Sequence, residues 1–188
     1  MLSARSGQDQ VNAFALVTYL PDPLGKFLDD LRRELVPGCV PHAHVTVLPP
    51  RPLSGTPQAA IETVRSHISD FAPFEIELGQ IQVFPETDVV YLSILAGHKQ
   101  LLQMHRALNV APLHYDEPYP YHPHITLAQD LTRQQAIELE SRARQRWAEF
   151  PHPHRFKAES FVFVQNRARN YWIDLAQFHL DPAPSIRR

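Results

Sequence analysis

HAHVTV at residues 42–47 recurs eighty positions later as HPHITL at residues 122–127. Both copies alternate polar and apolar side chains, which is the pattern of a half-buried β-strand. Side chains two positions apart share one face of a strand, so the histidine and threonine of each His-x-Thr triplet lie side by side. The chain can therefore build a site from two imidazoles and two hydroxyl groups. These candidate site residues are His44, Thr46, His124 and Thr126.

The segments that follow the two copies also resemble each other. Each copy is followed by a predicted helix and then by two predicted strands. The ranges are 56–71, 74–84 and 89–95 after the first copy, and 131–150, 156–165 and 171–180 after the second. We therefore predict tandem strand–helix–hairpin units at about 40–96 and 120–180.

The helices and the rest of the chain complete an α+β pattern. Thr56 is the predicted N-cap of the first helix, and either Asp130 or Thr132 is that of the second. A further strand is predicted at 13–20 and further helices at 23–35 and 98–109, with flexible tails at 1–10 and 181–188. Helices that separate antiparallel hairpins indicate an α+β fold rather than a parallel doubly wound sheet.

Composition excludes several classes of protein. The 188 residues have a formal net charge of −2, so no overall positive field attracts nucleic acid. No run of eighteen apolar residues is present, so we expect no membrane partner. The single cysteine, Cys39, excludes an internal disulfide, and we expect a cytoplasmic protein.

Chance accounts for one further His-x-[Ser/Thr] triplet. His67 and Ser69 form such a triplet, but they lie in a predicted helix, where residues two apart do not share a face. We interpret His67 as an ordinary helix residue. The two main copies differ because they match over six positions and are followed by matching segments.

Two imidazoles that face each other suit acid–base chemistry near neutral pH, because the unperturbed pKa of histidine is about 6.5. One imidazole can take a proton from an attacking water while the other gives one to the leaving oxygen. Threonine hydroxyls can meanwhile hold the non-bridging oxygens of a phosphate. The pattern favours opening of a cyclic phosphodiester without a covalent enzyme intermediate.

The residues that carry this chemistry resemble a known family. The stretches PHAHVTVLPP at 41–50 and YHPHITLA at 121–128 are similar to the signature of the two-histidine (2H) phosphoesterase superfamily. The resemblance is to its 2′-5′ RNA ligase-like branch, which contains the RNA 2′,3′-cyclic phosphodiesterases. It extends over residues 13–180, because the order of the predicted elements also fits.

The resemblance implies a fold, an activity and a set of site residues. The fold is a single bilobal domain over residues 1–188, with two pseudo-symmetric antiparallel sheets flanking a central cleft and helices on the outer faces. The activity is hydrolysis of 2′,3′-cyclic phosphates without a cofactor or metal, typically to a 2′-phosphate, with reversible 2′-5′ RNA ligation in some members. His44 and His124 match the acid–base residues, and Thr46 and Thr126 match the phosphate-binding residues.

Three neighbouring side chains are candidates for lining the cleft. His42 and His122 precede the catalytic candidates by two positions on the same strand face, and Tyr121 leads into the second copy. Each is equally compatible with an ordinary role at the end of a strand. The two His-x-His pairs also allow a metal-dependent hydrolase or oxygenase, although that reading leaves the repeated threonines unexplained.

A second class of function is non-catalytic. The same cleft could bind a nucleotide or an RNA end without turning it over. Retention of all four histidine and threonine positions favours the enzyme. The expected partners are RNA 2′,3′-cyclic phosphate ends or small cyclic nucleotides, and we expect a monomer. Sequence does not distinguish which histidine is the acid and which is the base.

Overall fold

The computed structural model describes residues 10–167 and 171–181. The predicted flexible tails lie outside these residues, except for one residue of each. Eight strands and four helices are present in this part of the chain. In chain order they are β1 Gln10–Tyr19, α1 Leu24–Leu35, β2 His44–Arg51, α2 Pro57–Ile68, β3 Phe74–Val83, β4 Val90–Ala96, α3 His98–Leu108, β5 His124–Ala128, α4 Arg133–Ala148, β6 Arg155–Ala158, β7 Ser160–Arg167 and β8 Tyr171–His179.

The strands form two antiparallel four-stranded sheets, which confirms the predicted α+β fold. The first sheet has the order β2-β1-β7-β8, and the second has the order β5-β4-β3-β6. Both strands that carry a His-x-Thr triplet, β2 and β5, are therefore edge strands. They lie against each other where the two sheets meet.

The two sheets exchange elements along the chain. β3 follows the first motif strand but pairs with β4 in the second sheet, whereas β7 follows the second motif strand but pairs with β1 in the first sheet. Two of the helices also pack on the sheet that they do not belong to in chain order. α1 connects two strands of the first sheet yet packs on β5, and α3 connects two strands of the second sheet yet packs on β2.

This exchange produces one continuous apolar core. The core contains residues from both sheets and from all four helices, including Leu28, Val45, Leu101, Ile125 and Trp147. Burial of the two sheets uses helices from both halves of the chain, since α1 packs on β5 and α3 packs on β2, while α4 packs on β3. The relative position of β2 and β5 is thus fixed by burial of the whole core. In the part of the chain that the structure describes, no helix is long and apolar enough to cross a membrane.

The helix starts follow their sequence signals. Thr56 caps α2 by accepting a hydrogen bond from the Ala59 amide at 3.2 Å. Of the two alternatives for α4, Thr132 is the N-cap, and it forms a capping box with Gln135. His67 lies on α2, as predicted.

The prediction of one strand at 156–165 is wrong. Residues of that range belong to two strands, β6 and β7, which pair with β3 and β1 in different sheets. The chain changes sheets at Glu159, whose carbonyl accepts a hydrogen bond from the Leu180 amide at 2.8 Å. Apolar alternation continues through the change, because both segments bury side chains, so periodicity alone cannot detect it.

A buried ion pair holds the end of β2. The Arg51 side chain is 0% exposed and pairs with Glu117, which lies in the segment between α3 and β5. Its guanidinium also donates to the Asn109 side-chain oxygen at 2.8 Å and to the carbonyls of Leu113 at 3.2 Å and Pro49 at 2.9 Å. All the neighbours of this charge are acceptors, as burial of a guanidinium requires.

Replacing Glu117 by Gln should destabilise the fold by about 3–5 kcal/mol, because it leaves the Arg51 cation buried and uncompensated. The measurement is the free energy of unfolding in urea. Glu140→Gln is the matched control: its partner Arg144 is 51% exposed, so the loss should be below about 1 kcal/mol. Equal losses in the two variants would contradict the interpretation of Arg51 as a buried charge.

Candidate active site

The two motif strands place their side chains as the alternation predicts. Val45 and Val47 are fully buried in the core, and so are Ile125 and Leu127 on the second strand. The histidine and threonine of each triplet are half-buried on the opposite face. β2 and β5 contact each other, and His124 lies close enough to His44 for its charge to lower the pKa of His44, so the structure brings the two triplets together.

Both histidines are held by the same hydrogen bond. The Nδ1 atom of His44 lies 2.6 Å from the carbonyl oxygen of His42, and Nδ1 of His124 lies 2.6 Å from that of His122. A backbone carbonyl can only accept, so Nδ1 carries the proton in both rings. Nε2 is therefore the nitrogen that exchanges a proton in each histidine.

Aromatic rings support the histidines of the first strand. The Tyr19 ring stacks on His42, with centroids 3.6 Å apart, and lies edge-on to His44 at 6.5 Å. Its hydroxyl donates to the Asp174 carboxylate at 2.7 Å. Burial and this carboxylate raise the pKa of Tyr19, so its hydroxyl stays protonated. Tyr19 thus contacts both His42 and His44 through its ring.

A different pair of rings supports the second strand. Phe84 and Tyr91 stack on each other at 3.9 Å, and each lies edge-on to His124, at 5.1 and 5.5 Å. His122 lies edge-on to Phe84 at 5.3 Å and to His98 at 5.8 Å. His124 therefore has a more apolar wall than His44, although the hydrogen bond to its Nδ1 is the same.

Tyr121 connects the two motif strands. Its hydroxyl donates to the carbonyl of Thr46 at 2.7 Å, and its ring stacks on His105 at 4.1 Å. Because β2 is an edge strand, no neighbouring strand lies on its outer side to bond the Thr46 carbonyl. The Tyr121 hydroxyl supplies the hydrogen bond that this carbonyl needs. His105 in turn contacts Glu117 at 2.9 Å. The Tyr121 hydroxyl is thus engaged by β2 and its ring by His105, while a role in lining the site stays a prediction.

The electrostatic environment lowers the pKa of both histidines. Burial is the main cause for His44, and the nearby charges of Arg32, His42 and His124 act in the same direction, which lowers the pKa to about 4. Burial also lowers the pKa of His124, assisted by His122. The hydrogen bond to Nδ1 opposes this shift in both cases.

Arg32 is a residue near the site that sequence reasoning missed. It lies in the last turn of α1, where a basic residue is common because it complements the helix dipole. No motif marks it, and only the packing of α1 brings its charge to His44. Tyr19 was likewise interpreted only as part of a strand, and its contacts with both histidines depend on the pairing of β1 with β2.

The histidines do not form a metal-binding arrangement. Among the described residues, no three His, Cys, Asp or Glu side chains converge on a point that could hold a metal ion. His42 is stacked on Tyr19, and the Nδ1 atoms of His44 and His124 are engaged by carbonyls. This geometry gives no support to the metal-dependent alternative.

Comparisons with known proteins agree with the repeated motif. The family model described as the 2′-5′ RNA ligase superfamily matches residues 20–170. A curated relative, "Putative phosphoesterase OB1230" of Oceanobacillus iheyensis, is 28% identical over 80 residues, which are 42% of this chain. The match spans 46% of that relative's own length.

Solved structures share the fold at low sequence identity. Escherichia coli LigT in its apo form superposes with a TM-score of 0.61 at 17% identity, and the match covers 91% of this chain and 98% of LigT. LigT complexed with 3′-AMP gives the same score at 16% identity, with 92% and 99% covered. Kluyveromyces marxianus Usb1 gives 0.57 at 14% identity, with 87% and 97% covered.

Titration of the histidines by NMR should give a midpoint near pH 4 for His44 and a midpoint below about 6.5 for His124. The unfolded chain binds these protons at higher pH, so stability should fall as the pH decreases from about 6.5 to about 4. The histidine signal that is absent from the spectrum of His44→Ala identifies the resonance of His44. A His44 midpoint at or above about 6.5 would contradict the electrostatic description of the cleft.

Proposed function

The chain belongs to the 2′-5′ RNA ligase superfamily, and from that premise we propose that it is a cyclic phosphodiesterase. It opens 2′,3′-cyclic phosphates of RNA ends or small nucleotides, typically to a 2′-phosphate, without a metal. The observation that carries the proposal is the pair of His-x-Thr triplets on neighbouring edge strands, each with its histidine Nε2 free to exchange a proton. The LigT structures complexed with phosphate and with 3′-AMP support a phosphate-bearing ligand.

The reaction divides between the two histidines. Water attacks phosphorus and gives a proton to Nε2 of one histidine, while the bond from phosphorus to the 3′ oxygen breaks. That oxygen takes a proton from Nε2 of the other histidine. The hydroxyls of Thr46 and Thr126 donate to the non-bridging oxygens and hold phosphorus between the imidazoles. Proton exchange with solvent then restores both rings.

The charges around the two histidines support His44 as the base and His124 as the acid. His44 lies near the positive charge of Arg32, which disfavours a second cation at its ring. It is therefore neutral over a wider pH range and ready to accept a proton. His124 has His122, and not an arginine, as its charged neighbour, so it takes up a proton more readily. If a 5′-hydroxyl replaces the attacking water, it gives its proton to the same base while the bond from phosphorus to the 3′ oxygen breaks and that oxygen takes a proton from the same acid, which would yield a 2′-5′ linkage. In the reverse reaction the two histidines exchange roles.

Hydrolysis of a 2′,3′-cyclic nucleotide in excess EDTA tests the proposal. His44→Ala and His124→Ala should each lower the rate by roughly 10²–10⁴, and the double variant should lose far less than the product of the two effects. His67→Ala is the matched control, because His67 belongs to the chance triplet on α2 and should leave the rate unchanged. Binding without turnover in the wild type would instead support the non-catalytic alternative, and turnover abolished by EDTA would support a metal.

A substrate with a better leaving group tests the assignment of acid and base. p-Nitrophenolate departs without a proton, so bis(p-nitrophenyl) phosphate does not need the acid. His124→Ala should therefore lose much less activity on this diester than on the cyclic nucleotide, whereas His44→Ala should lose similar activity on both. The measurement is the ratio of the kcat/KM values for the two substrates in each variant. If His44→Ala is the variant that retains more activity on the p-nitrophenyl diester, then His44 is the acid and His124 is the base.

A further inference from the structure

We infer that Arg32 is a phosphate-binding residue of the cleft, supplied by α1 and not by either motif strand. The inference deepens the proposed function and rests on it. Its ligand class is a phosphate-bearing anion, and its role is to add a fixed positive charge beside the two hydroxyl groups. The repeated motif contains no such charge, because its only ionisable side chains are histidines and it has no lysine or arginine.

The face of α1 that carries Arg32 covers the segment leading to the first motif. Asp29, one turn earlier on the helix, accepts a hydrogen bond from the Ala43 amide at 2.7 Å. Arg32 itself accepts one from the Cys39 thiol through its carbonyl, at 3.5 Å. The helix is therefore fixed to the residue that immediately precedes His44, and Arg32 lies on the same face as Asp29.

Protein groups leave part of the Arg32 guanidinium unsatisfied. Its Nε atom is buried and has no hydrogen-bond partner within the described residues. The Asp29 carboxylate favours the Arg32 cation electrostatically, but its Oδ1 atom accepts its hydrogen bond from the Ala43 amide. A buried donor without a partner is unfavourable, and an oxygen of a bound anion would satisfy it.

The second half of the molecule provides an internal comparison. The buried residues of α1 and α3 align with a shift of 73 positions, which pairs Leu28 with Leu101 and Leu31 with Met104. The same shift places His105 at the position of Arg32. His105 is fully engaged, since it contacts Glu117 at 2.9 Å and stacks on Tyr121. At this position the side chain of the second half has protein partners, whereas the Nε atom of Arg32 in the first half has no hydrogen-bond partner among the described residues.

The charge of Arg32 reaches the reaction centre. Of the charged groups that lower the pKa of His44, Arg32 has the largest effect, ahead of His42 and His124. An anion held next to Nε2 of His44 therefore lies within the field of this guanidinium. Arginine presents several donors in a planar fork, which suits two oxygens of one phosphate.

Binding of inorganic phosphate, followed by calorimetry, tests the inference without requiring turnover. Arg32→Met should weaken binding at least about tenfold, and Arg32→Lys should lose less, because it keeps the charge but not the fork. Arg33→Met is the matched control: Arg33 is exposed, pairs with Asp30 and should change the affinity by less than about twofold. On a cyclic nucleotide, Arg32→Met should raise KM more than it lowers kcat.

Stability separates a binding role from a structural one. A partly buried guanidinium with an unsatisfied donor adds little to the stability of the fold, so Arg32→Met should be at least as resistant to urea as the wild type. Marked destabilisation, an unchanged phosphate affinity in Arg32→Met, or no phosphate binding by the wild type would each overturn the inference. Arg32-dependent phosphate binding without hydrolysis of any cyclic phosphate would support the inference and reject the proposed activity.

Discussion

The contact between the two edge strands β2 and β5 is the constraint on which the rest of the molecule depends. Each strand carries one half of the candidate site, and neither half can act alone on a phosphate between them. The contact is maintained because the sheets exchange β3 and β7 and because α1 and α3 each cover the opposite sheet. Separating the strands would therefore require opening the single core. The two halves of the candidate site are therefore joined by one shared core.

Within this frame, the two halves are alike in hydrogen bonding and different in charge. Both histidines donate from Nδ1 to the carbonyl two residues before them, so both present Nε2. Near His44 lies the guanidinium of Arg32, whose Nε atom has no hydrogen-bond partner among the described residues, whereas the matching position of the second half is His105, which contacts Glu117. The two histidines thus lie in different electrostatic environments, and this difference is the basis of the proposed division into base and acid.

Several elements could be predicted because their causes are local. The alternation in each motif strand, the cap at Thr56 and the helical position of His67 depend on residues within one or two turns. Three features could not be predicted in this way. The chain changes sheets at Glu159, Tyr121 binds the Thr46 carbonyl 75 positions away, and Arg32 approaches His44 from α1. Each depends on pairing or packing between distant segments.

The sequence by itself predicted the candidate site residues and the strand face that they share, because side chains two positions apart on a strand lie on the same face. It also indicated the α+β fold from the order of helices and hairpins. Tertiary structure alone decided which strands became neighbours, which nitrogen of each imidazole remained free and which histidine lies near a fixed positive charge. The physical reason is that these properties are set by through-space burial and electrostatics, which have no fixed spacing along the chain.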